Sequence, residues 1–187
     1  MSGTTRPDSA SLVRPCIVLV AAVAENGVIG QGGALPWRLK AEMQFFRART
    51  WGRPVVAGRK TYLSFSRRPL PGRTNIVVTR DRDFTAPGSV VAWTLASALD
   101  VARGDALRRQ ADEIIIVGGA DIYAQTMALA DRLVITHVHL RPDGDTRFPA
   151  IDPAIWAEVS RSDHAAGPDD AAAYSIVTYE RTDRYPG

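Results

Sequence analysis

One carboxylate, Glu42, stands in a stretch whose apolar residues Leu39, Met43 and Phe46 recur at helical spacing. Three residues after Leu39 and four before Phe46, it points the same way as they do. An acid set among Trp37, Met43, Phe45 and Phe46 is costly to bury unless something hydrogen-bonds it. The edge of a cationic or amide-like ligand would do so. The alternative is a rim carboxylate that reaches water. Ahead of it runs a loop over residues 25–36 that carries Gly27, Gly30, Gly32, Gly33 and Pro36 and leads through Leu35 to Trp37. Such a loop is either a plain surface connection or a lid over a binding site; its direct lead into Trp37 and the Glu42 helix favours the lid.

Three strand ends carry groups suited to phosphate. The continuous apolar run Ile114-Ile115-Ile116-Val117 is followed at once by Gly118-Gly119 and a helix through Tyr123. Glycines there let a backbone approach a ligand closely, and the helix start offers free N–H groups. Val55-Val56-Ala57-Gly58 ends in Arg59-Lys60-Thr61, two cations and a hydroxyl opening a helix, where a bound polyanion would offset their conflict with the helix dipole. Asn75-Ile76-Val77-Val78 ends in Thr79-Arg80. Each alone could be a tight turn or a solvated charge; together they suggest an extended nucleotide with several anionic groups. The Gly-x-Gly-x-x-Gly fingerprint is absent, which excludes a Rossmann assignment.

Pro69-Leu70-Pro71-Gly72-Arg73 is a rigid turn whose guanidinium either is solvated or captures a carboxylate in bidentate fashion. His137 and His139 share a strand face, but no third ligand has workable spacing, so no metal is expected. No Ser–His–Asp or Cys–His arrangement is legible.

The elements that must position these residues alternate. Strands are expected over 16–24, 54–58, 74–79, 88–92, 113–117, 131–140, 156–163 and 173–181, and helices over 39–50, 60–65, 94–102 and 120–128. This predicts an α/β fold: a single three-layer domain with a central, mostly parallel eight-stranded sheet, an antiparallel C-terminal edge strand and flanking helices. The turn-rich segment Ala166-Gly167-Pro168-Asp169-Asp170 joins the last two strands as a hairpin. Residues 1–14 read as a disordered polar tail and 15–183 as the domain.

With 187 residues and 45% hydrophobic content, the chain can bury a substantial core. A net charge of +3 without a Lys/Arg block suits acidic small molecules and gives no reason to expect nucleic acid. Cys16, the sole cysteine, is expected to be a buried strand residue. No stretch is long enough to span a bilayer, and the apolar run from Cys16 is too short, with Pro15 at its start, for a secretory signal. A cytoplasmic monomer is expected.

The motifs resemble those of the dihydrofolate reductase family. The likeness runs from Val20-Ala21-Ala22, Asn26 to Gly30 and Leu35 to Leu39, through Gly58 to Thr61 and Arg68 to Asn75, to Val117 to Ala120 with Tyr123, and Gly144 to Pro149. It covers nearly everything from Cys16 to Glu180. The resemblance implies reduction of 7,8-dihydrofolate to 5,6,7,8-tetrahydrofolate with NADPH, by hydride transfer to C6 and protonation at N5. It implies that Glu42 accepts hydrogen bonds from the pterin's 2-amino and ring N–H groups, with Trp37 and Thr136 holding an ordered water beside it. Leu35 would lie in the mobile lid. Met43, Phe46, Leu70 and Ala22 would line the substrate, and Arg73 would clamp its α-carboxylate. Arg59, Lys60, Thr61, Thr79 and Arg80 would hold the NADPH phosphates, including the 2′-phosphate. Ala22, Ile29, Gly58, Val117, Gly118, Gly119, Ala120, Ile122 and Tyr123 would complete the cofactor's surroundings, with Gly118-Gly119 resembling the family's cis peptide.

Two residues depart from the pattern. Ala120 replaces a third glycine, and Asp121 stands where some members place an arginine against the pyrophosphate, so its carboxylate must turn outward or repel the cofactor. The nearest rival implied is an NADPH-dependent reductase of a ribosylated pyrimidine in riboflavin synthesis; a rival of another class is a nucleotide-binding module without catalysis.

Overall fold

The strongest apolar runs lie at the centre of the sheet because both of their faces are covered. The computed structural model describes residues 14–182. The strands are β1 (Cys16–Ala24), β2 (Val28–Gly30), β3 (Pro54–Gly58), β4 (Thr74–Val78), β5 (Val90–Ala92), β6 (Glu113–Ile116), β7 (Arg132–Val138), β8 (Thr146–Arg147), β9 (Trp156–His164) and β10 (Tyr174–Arg181). The helices are α1 (Lys40–Thr50), α2 (Arg59–Ser64), α3 (Leu95–Arg109) and α4 (Ala120–Thr126). Eight strands form one sheet in the order β5-β4-β3-β6-β1-β7-β10-β9. All pairings from β5 to β7 are parallel; β10 runs antiparallel to both β7 and β9, so the C-terminal hairpin closes one edge.

The period of two along β1 divides the core. Ile17, Leu19, Ala21 and Val23 join Ile114, Ile116 and the α3 residues Ala98, Ala102 and Ala106 on one face. Val18 and Val20 join Ile115, Tyr62 and the partly buried Phe45 and Phe46 on the other. The middle layer is thus sandwiched as expected.

Four local expectations are corrected. Helix α3 runs to Arg109 instead of stopping at 102, because Ala106 continues the stripe of Ala98 and Ala102. That burial outweighs the roughly 1 kcal/mol cost of Gly104 in its interior. The short strands β2 and β8, too brief for a periodic signal, form a separate two-stranded sheet. Cys16 is half-buried at the mouth of β1, not buried. Met43 is 59% exposed and does not belong to a core stripe. The expected tail over 1–14 lies outside the described residues except for Arg14, whose guanidinium pairs with Asp131 at 2.8 Å. No helix among the described residues is long and apolar enough to cross a membrane.

At the amino ends of the central strands, Glu113 is buried beneath three arginines. Arg49 Nη2 donates to its Oε1 at 2.8 Å, Arg132 Nη1 donates to the same oxygen at 3.2 Å, and Arg53 Nε lies 3.0 Å from Oε2. Burial pushes the carboxyl up, but the Arg49 hydrogen bonds and the charges of Arg49, Arg53 and Arg132 together hold it below its ordinary 4.5. Replacing Glu113 by Gln leaves Arg49 without its carboxylate, while Arg132 keeps Glu180 and Arg53 keeps Asp112, and is expected to cost about 3 kcal/mol in denaturant unfolding. A folded-state value below the unfolded one gives stability that is present above pH 4.5 and lost as pH falls through the folded value. The difference between wild type and E113Q should therefore shrink in acid.

Candidate active site

Glu42 is set by the way α1 begins. The Lys40 N–H donates to Asp170 Oδ1 at 2.7 Å and the Ala171 N–H to Arg38 O at 2.9 Å, which ties the helix start to the turn before β10. Glu42 then falls in the first turn, turned inward and only 7% exposed. Thr136 of β7, in register with Ala22 of β1 and Ile176 of β10, donates its hydroxyl to Glu42 Oε1 at 3.2 Å. Burial raises the carboxyl above its ordinary value, and the Thr136 hydrogen bond only partly opposes this. On the lead into α1, the Trp37 indole Nε1 is buried and has no hydrogen-bond partner among the described residues. A buried donor of this kind calls for a polar partner. The Tyr123 hydroxyl donates to Val20 O at 2.7 Å, and burial with the charge of Glu42 keeps it protonated. The rim-carboxylate alternative for Glu42 is thereby excluded.

Along α1 from Glu42 lies a second polar centre. Arg73 is buried, with Nη1 donating to Thr50 Oγ1 at 3.0 Å and Nε to Pro71 O at 2.8 Å. Its guanidinium lies 5.5 Å from the Trp51 ring centre, and that of Arg47 lies 5.6 Å from it. Gly72 allows this approach: it has φ +72°, and a Cβ there would sit 2.6 Å from the Trp51 ring. Burial and the neighbouring Arg47 charge lower the Arg73 pKa. Arg73 has neutral acceptors but no carboxylate partner among the described residues, an arrangement suited to an incoming anion. Phe46 and Leu70, both half-buried, pack on the core cluster that holds Val18, Val20 and Ile115. Met43 edges a shallow cavity of about 340 Å³ shared with Arg38, Lys40, Gln44 and Arg47.

The expected phosphate corners adjoin one another. The Gly58 N–H donates to Gly118 O at 2.7 Å, and a Cβ on Gly119 would meet Thr61 Oγ1 at 3.1 Å. The Gly118-Gly119 bond is cis, and Gly118 has φ +99°, with Tyr123 2.7 Å from where a Cβ would stand. Val117, Ile122 and Tyr123 are buried, while Ala120 opens α4 half-buried. Thr79 is buried at the end of β4 and Arg80 is exposed. Lys60 and Arg80 form no ion pair among the described residues, whereas Arg59 is paired with Asp81. Asp121 is exposed, and its Oδ2 accepts from Gln125 Nε2 at 2.9 Å along α4.

The 25–36 segment is less free than a plain loop. Within it, β2 pairs with β8, Gly32 N–H donates to Asp145 Oδ2 at 2.9 Å and Phe148 N–H donates to Gly27 O at 2.9 Å. Ile29 on β2 is half-buried against the core, and Leu35 is 52% exposed. His137 and His139 meet the Tyr179 and Ser175 hydroxyls at 2.8 and 3.0 Å. Sequence reasoning missed Arg47, Thr50, Asp81 and Asp145. Asp81 and Asp145 had a readable cue, since Asp81 directly follows Thr79-Arg80 and Asp145 lies within the Gly144 to Pro149 motif.

Residues 16–181 match the family model described as dihydrofolate reductase. The chain is 44% identical over 165 residues to a dihydrofolate reductase of Neisseria meningitidis serogroup A, covering 88% of this chain and 98% of that one. It is 41% identical over 165 residues to the type 3 dihydrofolate reductase of Salmonella typhimurium, covering 88% and 98%. Among solved structures, dihydrofolate reductase from Enterococcus faecalis, complexed with NADP(H) and RAB-propyl, superposes with a TM-score of 0.81 at 32% identity, covering 91% of this chain and 98% of that one.

Proposed function

The chain belongs to the dihydrofolate reductase family, and from that premise we propose that it reduces 7,8-dihydrofolate to 5,6,7,8-tetrahydrofolate with NADPH. The observation that carries the reading is the buried Glu42, with Thr136 on one oxygen; the buried, unpartnered Trp37 indole on the lead into the same helix supports it. The other Glu42 oxygen accepts no side-chain hydrogen bond among the described residues, which leaves it for a heterocycle's 2-amino and ring N–H groups. Trp37 and Thr136 hold a water that orients the acid, and Arg73 takes the α-carboxylate at the far end of the substrate. Ala22, Met43, Phe46 and Leu70 line the path between them.

The donor set at the strand ends fits the cofactor. Lys60 and Arg80 are cations that form no ion pair among the described residues, Thr61 and Thr79 supply hydroxyls, and Gly58, Gly118 and Gly119 leave bare backbone beside them. These residues with Arg59 hold the phosphates; Ile29, Val117, Ala120, Ile122 and Tyr123 complete the walls. NADPH, when bound, supplies the hydride that C6 of the pterin receives.

N5 must gain a proton as C6 is reduced. Glu42 does not reach N5 itself: it orients the ring and favours N5 protonation electrostatically, with water as the carrier. Leu35 and the 25–36 segment close over the site and keep bulk solvent away. Catalysis is therefore largely positioning. The reading includes a cytoplasmic monomer, and one that acts without nucleic acid; the last is supported by the mild net charge and the lack of a basic block.

Mixing protein, NADPH and dihydrofolate and following NADPH absorbance tests the proposal. Rapid loss of absorbance that requires dihydrofolate is expected. Loss only with a ribosylated pyrimidine, or binding of NADPH without turnover, would overturn it.

A further inference from the structure

We propose that Asp81 sets cofactor discrimination by competing with a 2′-phosphate for Arg59. The inference rests on the reading that the adenosine end of the cofactor lies where β3 and β4 end. Two observations carry it. Asp81 Oδ2 is ion-paired with Arg59 Nη1, and both side chains are about two-fifths exposed, so the pair lies at the surface where a ligand arrives. The Asp81 N–H donates to Thr79 Oγ1 at 3.2 Å, and Asp81 Oδ1 accepts from the Asp83 N–H at 3.1 Å, so the turn aims the carboxylate at Arg59.

The consequence is electrostatic. A 2′-phosphate entering this corner meets Arg80 free of acidic partners among the described residues, but it must share or displace the Arg59 pair. An exposed ion pair is weak, so displacement is possible; the carboxylate nevertheless repels the incoming dianion. A cofactor with a plain ribose feels no such repulsion, and an acid at a strand end can accept a hydrogen bond from its 2′-hydroxyl. Asp81 thus weakens NADPH and favours NADH, which narrows the preference that the basic residues create. The Thr79 hydroxyl accepts from Asp81 N–H and keeps its own proton free to donate to the phosphate.

Asp81→Asn is the discriminating variant. It keeps Oδ1 for the Asp83 N–H and puts an amide nitrogen, which cannot accept from Arg59, in place of Oδ2. Dissociation constants for NADPH and NADH are read from nucleotide fluorescence, and those of adenosine 2′,5′-bisphosphate and AMP from calorimetry, in wild type, D81N, Asp81→Ser and Arg59→Gln. Both Asp81 variants should bind NADPH and the bisphosphate about fivefold more tightly. NADH and AMP should be unchanged or weakened, and the salt dependence of NADPH binding should steepen. Unchanged or weakened NADPH binding in D81N, or equal tightening of both cofactors, would overturn the inference. R59Q separates it from its premise. If R59Q weakens NADPH while D81N does not tighten it, only the Asp81 inference fails; if R59Q leaves NADPH binding unchanged, the placement of the 2′-phosphate fails with it.

Discussion

Replacing Glu42 by Gln is expected to lower turnover at pH 7 by about a hundredfold or more, and by far less at pH 5. The carboxylate is the acid buried against Thr136, and in the proposed reaction its charge both holds the pterin edge and favours a proton on N5. Gln keeps the shape and the Thr136 contact but removes the charge. At pH 5 solvent supplies more of the protonated substrate, so the missing charge matters less. Unchanged turnover at pH 7 would remove Glu42 from the reaction. Steady-state rates across pH 5 to 9 for both proteins decide the matter.

The same variant should be more stable than the wild type in mild alkali. Burial raises the Glu42 carboxyl above its ordinary 4.5, so the folded chain binds that proton more tightly than the unfolded one. The stability this group contributes is fully present below pH 4.5 and is lost as pH rises through the raised folded value. Gln carries no such loss. Thermal melts should place E42Q above wild type at pH 8, with the gap closing near pH 4. Lower activity together with higher stability would mark Glu42 as a site kept for chemistry at a cost in folding.

The parts of the fold legible in the sequence were those with a long periodic signal. Ile114 to Val117 could only be a doubly covered strand, and the pattern around β1 likewise. The pair β2 and β8 was not legible, because three residues and two residues carry no period, and their pairing depends on Asp145 and Phe148 meeting a loop over a hundred residues earlier in the chain. The inward direction of Glu42 was legible from its spacing to Leu39 and Phe46, but not its burial, since a carboxylate at the rim fits the same spacing. The exposure of Met43 was not, since one residue further along the helix faces a cavity edged by Arg38 and Arg47 and not the core. The Arg59–Asp81 pair was hidden for a similar reason: the two residues are 22 apart and meet only because β3 and β4 are parallel neighbours with their ends in register.

Replacing Arg73 by Gln should raise KM for dihydrofolate by about a hundredfold while kcat stays within a factor of a few. Truncating one partner of a buried, hydrogen-bonded charge pair typically costs about 2–5 kcal/mol, and each 1.4 kcal/mol is tenfold in affinity. The guanidinium is held by Thr50 and Pro71 and flanked by Trp51, so it meets a carboxylate already oriented. That carboxylate is remote from C6 and N5, and its contact is the same in the ground state and the transition state, which is why KM moves and kcat does not. Arg73→Lys should recover little, because a point charge cannot reproduce the two-pronged contact. Loss of packing around Trp51 is the competing explanation, and a reduced pterin without the carboxylated tail separates the two. Its KM should be nearly the same in R73Q and wild type if Arg73 acts on the tail. If that KM rises in parallel with the value for dihydrofolate, Arg73 is holding the shape of the site and not the substrate's anion.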